Sequence, residues 1–499
     1  MAINVYTPGC HLLCHDDVIG SRRVSYILYL TDPDVPWKEE WGGALRLFPT
    51  STFEDEDGEK TKTPSPDFAK VIPPAWNQLS FFAVQPGESF HDVEEVYHAE
   101  SKEQSEKEGG RIRMAISGWY HIPQIGEDGY VKGAEEKWGA NSSLIQLQGN
   151  PDRCDFPQPK PVTVEAPSQS VKEKGLEEAD LDFLLKYMAP TYLTPDTLEQ
   201  VAERFMDFSS VTLDSLLSKK FSAKVREYIE GQESDSLPTT SAEIEKGSWK
   251  VAKPPHKHRF LYLQPSEEKD ESVEVNPVKE LLEVFLPSRQ FRQWLELATQ
   301  CEIENYDVLA RRFRKGFDYA LATSHDGQPR LEISLGLTPT PGWGVDDEED
   351  EQEDKSPESK HKTNGKAKTK GKKKEEAVEE VEVDDVGGHE VYMAGDEDEV
   401  NGDAAIYKTS SDAEDDNVLF TMPASWNKMS IVLRDSGVLK FVKYVSNNAR
   451  GDRWDVSGAF GVKEIDEEDD GEETLVALES SDEEEAFNGF PDSEDSDSD

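Results

Sequence analysis

The sequence predicts a mainly β protein with helices, of the α+β class, in which one sandwich- or barrel-like fold occurs twice. Three observations predict it. Short runs rich in β-branched and aromatic residues, separated by turn residues, fill residues 1–125 and return from residue 330. A block with helical periodicity lies between them. The two β stretches also match each other over several motifs.

In the first stretch the strand candidates are RRVSYILYLT (22–31), GGALRLF (42–48), NQLSFFAV (77–84) and RIRMAISGWYHI (111–122). Asp32-Pro33, Pro73-Pro74 and Pro86-Gly87 punctuate them as turns. Residues 126–175 are rich in Gly, Pro and Glu and read as a linker. A second domain is expected over 176–462. It opens with a helix that has Thr194 as N-cap, Pro195 at the first position, and Leu198, Val201, Ala202 and Phe205 on one face. Another amphipathic segment runs from Val278 to Cys301. Strands resume at RLEISLGLT (330–338), NVLFTM (417–422), MSIVLRD (429–435) and LKFVKYV (439–445). Residues 345–400 are acidic, then basic, then acidic, and are expected to be a disordered insertion. Their run KHKTNGKAKTKGKKK (360–374) reads equally as a nuclear import signal or as a spacer. Residues 463–499 are dominated by Asp, Glu and Ser and are expected to be a disordered acidic tail.

The net charge of −50 argues against sequence-specific nucleic-acid binding, because a polyanion is repelled by most of the surface. Four cysteines do not make a disulfide framework, and no second Cys pair answers Cys10 and Cys14 to build a zinc site. A reducing compartment follows. No apolar run reaches the roughly 18 residues that span a bilayer, and the N-terminus lacks the pattern of a signal peptide. The expectation is an intracellular, soluble protein with no membrane partner.

The internal repeat separates scaffold from chemistry. PPAWNQLSFFAVQPGESFHDVEEV (73–96) lies without gaps on MPASWNKMSIVLRDSGVLKFVKYV, with Asn77 on Asn427. RMAISGW (113–119) matches RWDVSGA (453–459), HDD (15–17) matches HDG (325–327), and WGGALRL (41–47) matches VGGHEVY (386–392) more loosely. On this alignment Gly327 stands at Asp17 and Phe441 at His91, while Arg453 keeps the basic residue of Arg113. A carboxylate and a histidine lost together point to a metal site kept by one copy.

Two His and one carboxylate on one face hold Fe(II) and leave positions open for co-substrate and oxygen. His15 and Asp17 are two apart, on the same face of a strand. A third ligand must come from a distant strand, and His91 opens a strand-like run after a turn. A lone His-x-Asp is common by chance. His11 and Asp16 compete nearby, and His98 and His121 compete with His91. Arg113 offers a guanidinium fork suited to a carboxylate, yet Arg111 shares its strand parity, and either could form a surface ion pair. Tyr6 and Tyr29 could add hydroxyls to the same carboxylate or be core aromatics.

HDDVIGSRRVSYILYL, EEWGGALRLFP, PPAWNQLSFFAVQPGESFHDVEEV and RMAISGWYHIP together resemble the prolyl 3-hydroxylases of a small-subunit ribosomal protein, strongly over residues 1–125 and more weakly over 176–460. Fungal members of that family are implicated in translation termination and in oxygen- and sterol-linked regulation. The resemblance implies two double-stranded β-helix (jelly-roll) domains, the first carrying Fe(II) and 2-oxoglutarate and the second without a metal. It implies His15, Asp17 and His91 as iron ligands, and Arg113, three residues before Ile-Ser-Gly-Trp, as the 2-oxoglutarate arginine. Tyr6 and Tyr29 match tyrosines near that pocket. Ascorbate as reductant, a ribosomal-protein substrate, translation-termination or regulatory partners, and residence in nucleus and cytoplasm are implied as well. Two departures stand out. Family members carry a segment before the His-x-Asp strand, so the first jelly roll is expected to be truncated at its N-terminus. The span from His91 to Arg113 is also longer than usual, and its polar HAESKEQSEKEGG reads as a loop insertion. The rival readings are a non-catalytic interaction or oxygen-sensing protein acting through the second β domain, and a cupin-like hydrolase or isomerase, against which Arg113 counts.

Overall fold

A computed structural model of the chain describes residues 1–54, 60–134, 154–164, 175–265, 276–323, 325, 327–343, 386–394 and 417–463. The acidic tail and most of the charged insertion lie outside the described residues. The first β region has strands β1 (Ala2–Tyr6), β2 (Leu12–His15), β3 (Arg22–Tyr29), β4 (Leu45–Leu47), β5 (Thr50–Glu54), β6 (Lys60–Pro64), β7 (Lys70–Ile72), β8 (Gln78–Ala83), β9 (His91–Val93) and β10 (Arg113–His121). They form a sheet in the order β1-β10-β3-β8, a second in the order β2-β9-β4-β7, and the hairpin β5-β6. Every pairing is antiparallel.

The second region adds β11 (Val162–Thr163), β12 (Ser210–Leu213), β13 (Lys250–Val251), β14 (His258–Arg259), β15 (Leu261–Leu263), β16 (Ile303–Phe313), β17 (Tyr319–Thr323), β18 (Arg330–Leu337), β19 (Glu390–Met393), β20 (Val418–Met422), β21 (Trp426–Arg434), β22 (Leu439–Val442) and β23 (Arg453–Val462). Its larger sheet contains the order β16-β23-β18-β21, and its smaller sheet contains β17-β22-β19-β20. These orders repeat those of the first region strand for strand. Both regions lie in one compact unit, Met1–Lys463.

Helices form where the spacing predicts them. Pro195–Phe208 follows Thr194 and buries Val201, Ala202 and Phe205. Arg289–Thr299 is capped by the Ser288 side chain, which accepts from the Phe291 N–H, and it buries Phe291, Trp294 and Leu295. These helices pack with Ile333, Leu335, Met429, Ile431 and Phe460 of the larger sheet into the main core. The matching face of the first region is bare. Leu79 and Phe81 are 58% and 71% exposed, whereas Met429 and Ile431, at the same ladder positions, are fully buried.

Three expectations change. Residues 390–393, inside the stretch expected as a disordered insertion, form strand β19 between β20 and β22. The reason is packing: Val391 and Tyr392 are buried, and Gly387 and Gly388 take φ of +72° and +73° to pass close to Tyr444 and Trp343. Within the expected linker, Val162–Thr163 pairs with β16, and Phe156 bridges to Lys253. The polar stretch after His98 forms the helix Lys102–Lys107, with Ser101 as an N-cap that accepts from the Gln104 N–H at 3.2 Å.

The ladders also correct the gap-free alignment of the repeats. Gly42 bridges to Val96, and Gly387 bridges to Val445. From these anchors, Leu47 faces His91 in one region and Tyr392 faces Lys440 in the other. His15 faces His91, and Thr323 faces Lys440. Lys440, not Phe441, therefore stands at His91, and Thr323 stands at His15. Counting on from Thr323, His325 rather than Gly327 falls at Asp17. The hairpin loop before β22 is one residue shorter than that before β9, which a gap-free alignment cannot register.

Candidate active site

The two sheets of the first region enclose a cavity of about 580 Å³, within the range of small-molecule sites. His15, at the end of β2, and His91, at the start of β9, are paired across the ladder, with ring centroids 4.3 Å apart. Asp17 follows β2 with φ +62°, and this left-handed turn brings its carboxylate back toward both rings. Asp17 Oδ1 lies 3.5 Å from His15 Nε2, and Oδ2 lies 3.6 Å from His91 Nε2. The ligand atoms of the three residues all lie within 4.8 Å of one another.

Their orientation is built into the backbone. His15 Nδ1 is 2.8 Å from the Leu13 carbonyl, and His91 Nδ1 is 2.7 Å from the Ser89 carbonyl. Each Nδ1 donates to its carbonyl, which turns the two Nε2 atoms toward Asp17. Trp119 Nε1 donates to Asp17 Oδ2 at 3.1 Å, and Arg22, stacked 3.6 Å over the Trp119 ring, lies 3.8 Å from Oδ1. Burial would raise the Asp17 pKa, but the hydrogen bond and charge of His15 and the Trp119 bond together hold it well below the usual carboxylate range. Burial and the neighbouring His15 push His91 down to about 4, so its ring is neutral. The donor set is thus an ionised carboxylate and two imidazoles, chemistry that fits Fe(II).

Arg113 begins β10 and is 2% exposed. Alternation along β10 puts Ala115, Ser117 and Trp119 on the same cavity wall. The guanidinium lies 4.7 Å from the Tyr6 ring centroid and 5.1 Å from that of Tyr29. Its Nε donates to the Gly43 carbonyl at 2.7 Å, while Nη2 and the Tyr29 hydroxyl are buried without a hydrogen-bond partner among the described residues. No carboxylate among the described residues pairs with Arg113. A buried cation without a counter-charge is costly, so the fork fits the distal carboxylate of a dicarboxylic co-substrate.

The second region shows the contrast. At the positions of Asn4, Ser25, Leu45, His91 and Ala115 it carries Arg311, Glu332, Glu390, Lys440 and Asp455. Arg311 binds Asp455 and Glu390, Lys440 binds Glu332 and Glu390, and Arg453, the counterpart of Arg113, pairs with Asp455. Its interior is filled by side chains that neutralise one another, and its arginine already has a carboxylate.

Of the six expected residues, Tyr6, His15, Asp17, His91 and Arg113 line the first cavity, and Tyr29 is fully buried beside Arg113. The competitors stand outside the cluster and have other partners. Asp16 accepts from the Val18 and Gly87 N–H groups, His11 stacks on Tyr444, and His121 bonds Ser21 on the surface. His98 uses its carbonyl to receive Arg111, whose Nε is bonded to Glu108. Trp119 and Arg22 were missed, although strand alternation from Arg113 could have found Trp119. His256, from the second region, also lines the cavity, and no local pattern signals it.

Residues 1–121 match the 2OG-Fe(II) oxygenase superfamily, and residues 179–469 match the family described as oxoglutarate and iron-dependent oxygenase degradation C-term. The former family uses Fe(II) and 2-oxoglutarate. The chain is 30% identical to Prolyl 3,4-dihydroxylase OGFOD1 of Ostreococcus tauri, over 91% of this chain and 76% of that protein. It is 27% identical to Prolyl 3-hydroxylase OGFOD1 of Mus musculus over 50% of this chain, and spans 33% of the mouse protein. Prolyl 3-hydroxylase sudestada1 of Drosophila melanogaster is 24% identical over 89% of this chain and 65% of its own length. Among solved structures, a Pseudomonas putida prolyl-4-hydroxylase overlaps 53% of this chain and 97% of its own at 9% identity and TM-score 0.30. The match of more than half the chain to one family model, and the extent of the Ostreococcus tauri match, place this chain in the OGFOD1-like family of 2-oxoglutarate- and Fe(II)-dependent oxygenases.

Proposed function

We propose that this protein is a 2-oxoglutarate-dependent dioxygenase that hydroxylates C3 of a prolyl residue in a small-subunit ribosomal protein. The observation that carries the co-substrate reading is Arg113: a buried guanidinium, open at Nη2, in the same cavity as the His15–Asp17–His91 cluster. The prolyl substrate rests on the names of the relatives, and the ribosomal protein on the motif resemblance.

In this reading His15 Nε2, the Asp17 carboxylate and His91 Nε2 hold the iron. Trp119 and Arg22 fix the Asp17 carboxylate, and the Leu13 and Ser89 carbonyls fix the imidazole tautomers. Arg113 takes the distal carboxylate of 2-oxoglutarate, with Tyr6 and Tyr29 beside it. When bound, iron and co-substrate supply oxygen activation, coupling decarboxylation of 2-oxoglutarate to succinate with hydroxylation of the substrate. Val18, Ile27, Leu45 and Ala115 give the cavity apolar walls. Each β region is a double-stranded β-helix, the second without metal, which the repeated strand order supports. Ascorbate keeps the iron reduced. The protein acts in nucleus and cytoplasm on translation termination.

The test is mass spectrometry of a proline-containing ribosomal peptide after incubation with protein, Fe(II) and 2-oxoglutarate. One added oxygen per succinate is expected, and Asp17→Ala is expected to abolish both iron binding and product. Metal and turnover retained in Asp17→Ala would overturn the assignment of the cluster.

A further inference from the structure

The cavity does not end at the metal cluster. It runs past the edge strand β2 to a wall that includes Leu13, Cys14, Leu321 and His256. A second cavity, of about 480 Å³, opens beyond it between the two β regions, and His11, Leu13 and Leu321 line both. The two spaces therefore share a wall.

His256 lines the first of them in an unusual state. It is 1% exposed, and neither ring nitrogen has a hydrogen-bond partner among the described residues. Burial, then the neighbouring Lys257 and His258, lower its pKa to about 3, so the ring is neutral and carries one donor and one acceptor. Each buried polar group left unpaired is destabilising, and such groups in a folded protein need an explanation. The ring is also held in place. It packs on Phe90, the residue before His91, with centroids 4.8 Å apart. The preceding Pro255 carbonyl accepts the Tyr319 hydroxyl at 2.6 Å, and that oxygen accepts the Cys14 N–H at 3.3 Å. The second region thus hands a fixed donor and acceptor to a cavity that opens on the first.

A neutral imidazole complements a peptide group, which offers one carbonyl and one N–H. An edge strand beside a largely apolar cavity wall suits an extended chain. We propose that the seam is the substrate-flank subsite: with the target residue at the cluster, the polypeptide runs past β2 toward the second β region, where one of its peptide groups hydrogen-bonds His256. This rests on the reading of a polypeptide substrate given above.

The test uses the full chain with Fe(II) and 2-oxoglutarate. The probes are overlapping proline-containing peptides covering the small-subunit ribosomal proteins. The best peptide of the wild type is then run against His256→Ala, His256→Asn and Leu321→Arg. His256→Ala is expected to raise the peptide KM about tenfold, which corresponds to about 1.4 kcal/mol, without moving the KM for 2-oxoglutarate. His256→Asn keeps a donor and an acceptor and is expected to recover most of the loss. Leu321→Arg narrows the seam and is expected to weaken long peptides more than short ones, a readout that stands if His256→Ala does not fold. An unchanged peptide KM in His256→Ala, or parallel losses for peptide and 2-oxoglutarate, would overturn the subsite. Wild type that converts 2-oxoglutarate but turns over no peptide would instead overturn the polypeptide reading, and the subsite with it.

Discussion

Removal of the Glu95 carboxylate is expected to loosen the seam and the co-substrate arginine together. Glu95 is 1% exposed. Its carboxylate accepts from Ser446 Oγ at 2.5 Å, the Asn447 N–H at 2.7 Å and the Tyr444 hydroxyl at 3.3 Å, all in the second region. Its backbone carbonyl accepts the Gly43 N–H at 3.1 Å, and the Gly43 carbonyl accepts Arg113 Nε at 2.7 Å. Hydrogen bonds to a buried charge contribute about 1.5–3 kcal/mol each, and a donor stranded by truncation costs about 1–3 kcal/mol. Counting the two short bonds alone, Glu95→Ala is expected to cost about 3–6 kcal/mol. Glu95→Gln keeps the shape and one acceptor oxygen, and is expected to cost about half as much. Urea denaturation followed by tryptophan fluorescence measures the stability, and initial rates of succinate formation measure the KM for 2-oxoglutarate. That KM is expected to rise several-fold, because the backbone segment that bonds Gly43 loses its side-chain tie to the second region. A loss under about 1 kcal/mol with an unmoved KM would refute the idea that the seam anchors Arg113.

Three further outcomes are expected. Arg113→Leu removes a charge-assisted fork worth about 3–4 kcal/mol, so 2-oxoglutarate affinity by calorimetry falls by roughly 100- to 1,000-fold while iron binding persists; loss of iron as well would show a scaffold role. Gly42→Ala sets a Cβ 2.0 Å from the Glu95 carbonyl oxygen at φ +69° and is expected to cost about 3 kcal/mol or more, whereas Gly20→Ala, at φ +53° with nothing within 4 Å, costs about 1 kcal/mol in the same denaturation assay. The third concerns acid. Burial alone would raise the Glu390 pKa, but Lys440 and Arg311 hold it down to about 2, against 4.5 unfolded. A depressed carboxylate contributes stability that is fully present above the unfolded pKa and is lost as pH falls toward the folded one. The second region is therefore expected to lose about 3 kcal/mol between pH 4.5 and 2, and Glu390→Gln to flatten that part of the profile. An identical profile in the variant would contradict the assignment.

By itself the sequence determined what is local. Alternation along a strand is a covalent property of extended backbone, so Arg113 and its neighbours at every second position were bound to share a face. The left-handed turns at Asn77 and Asn427 belong to a repeated Trp-Asn pair visible in the sequence. The helix at Pro195 and strands such as β3, β8, β18 and β21 were likewise set by short-range pattern. His15 and Asp17 were readable as a pair, and comparison of the copies singled out His91 as their partner. Only the tertiary structure decided the rest, because it depends on which strands meet. One residue fewer in a hairpin loop moves Lys440, not Phe441, onto the His91 position, and so turns a lost ligand into part of an ion-pair core. Arg111 and Arg113 share a parity, and only the carbonyls and carboxylate around Arg111 show that its donors are engaged. His256 is silent in sequence, since its place beside Phe90 arises from packing between two regions far apart in the chain.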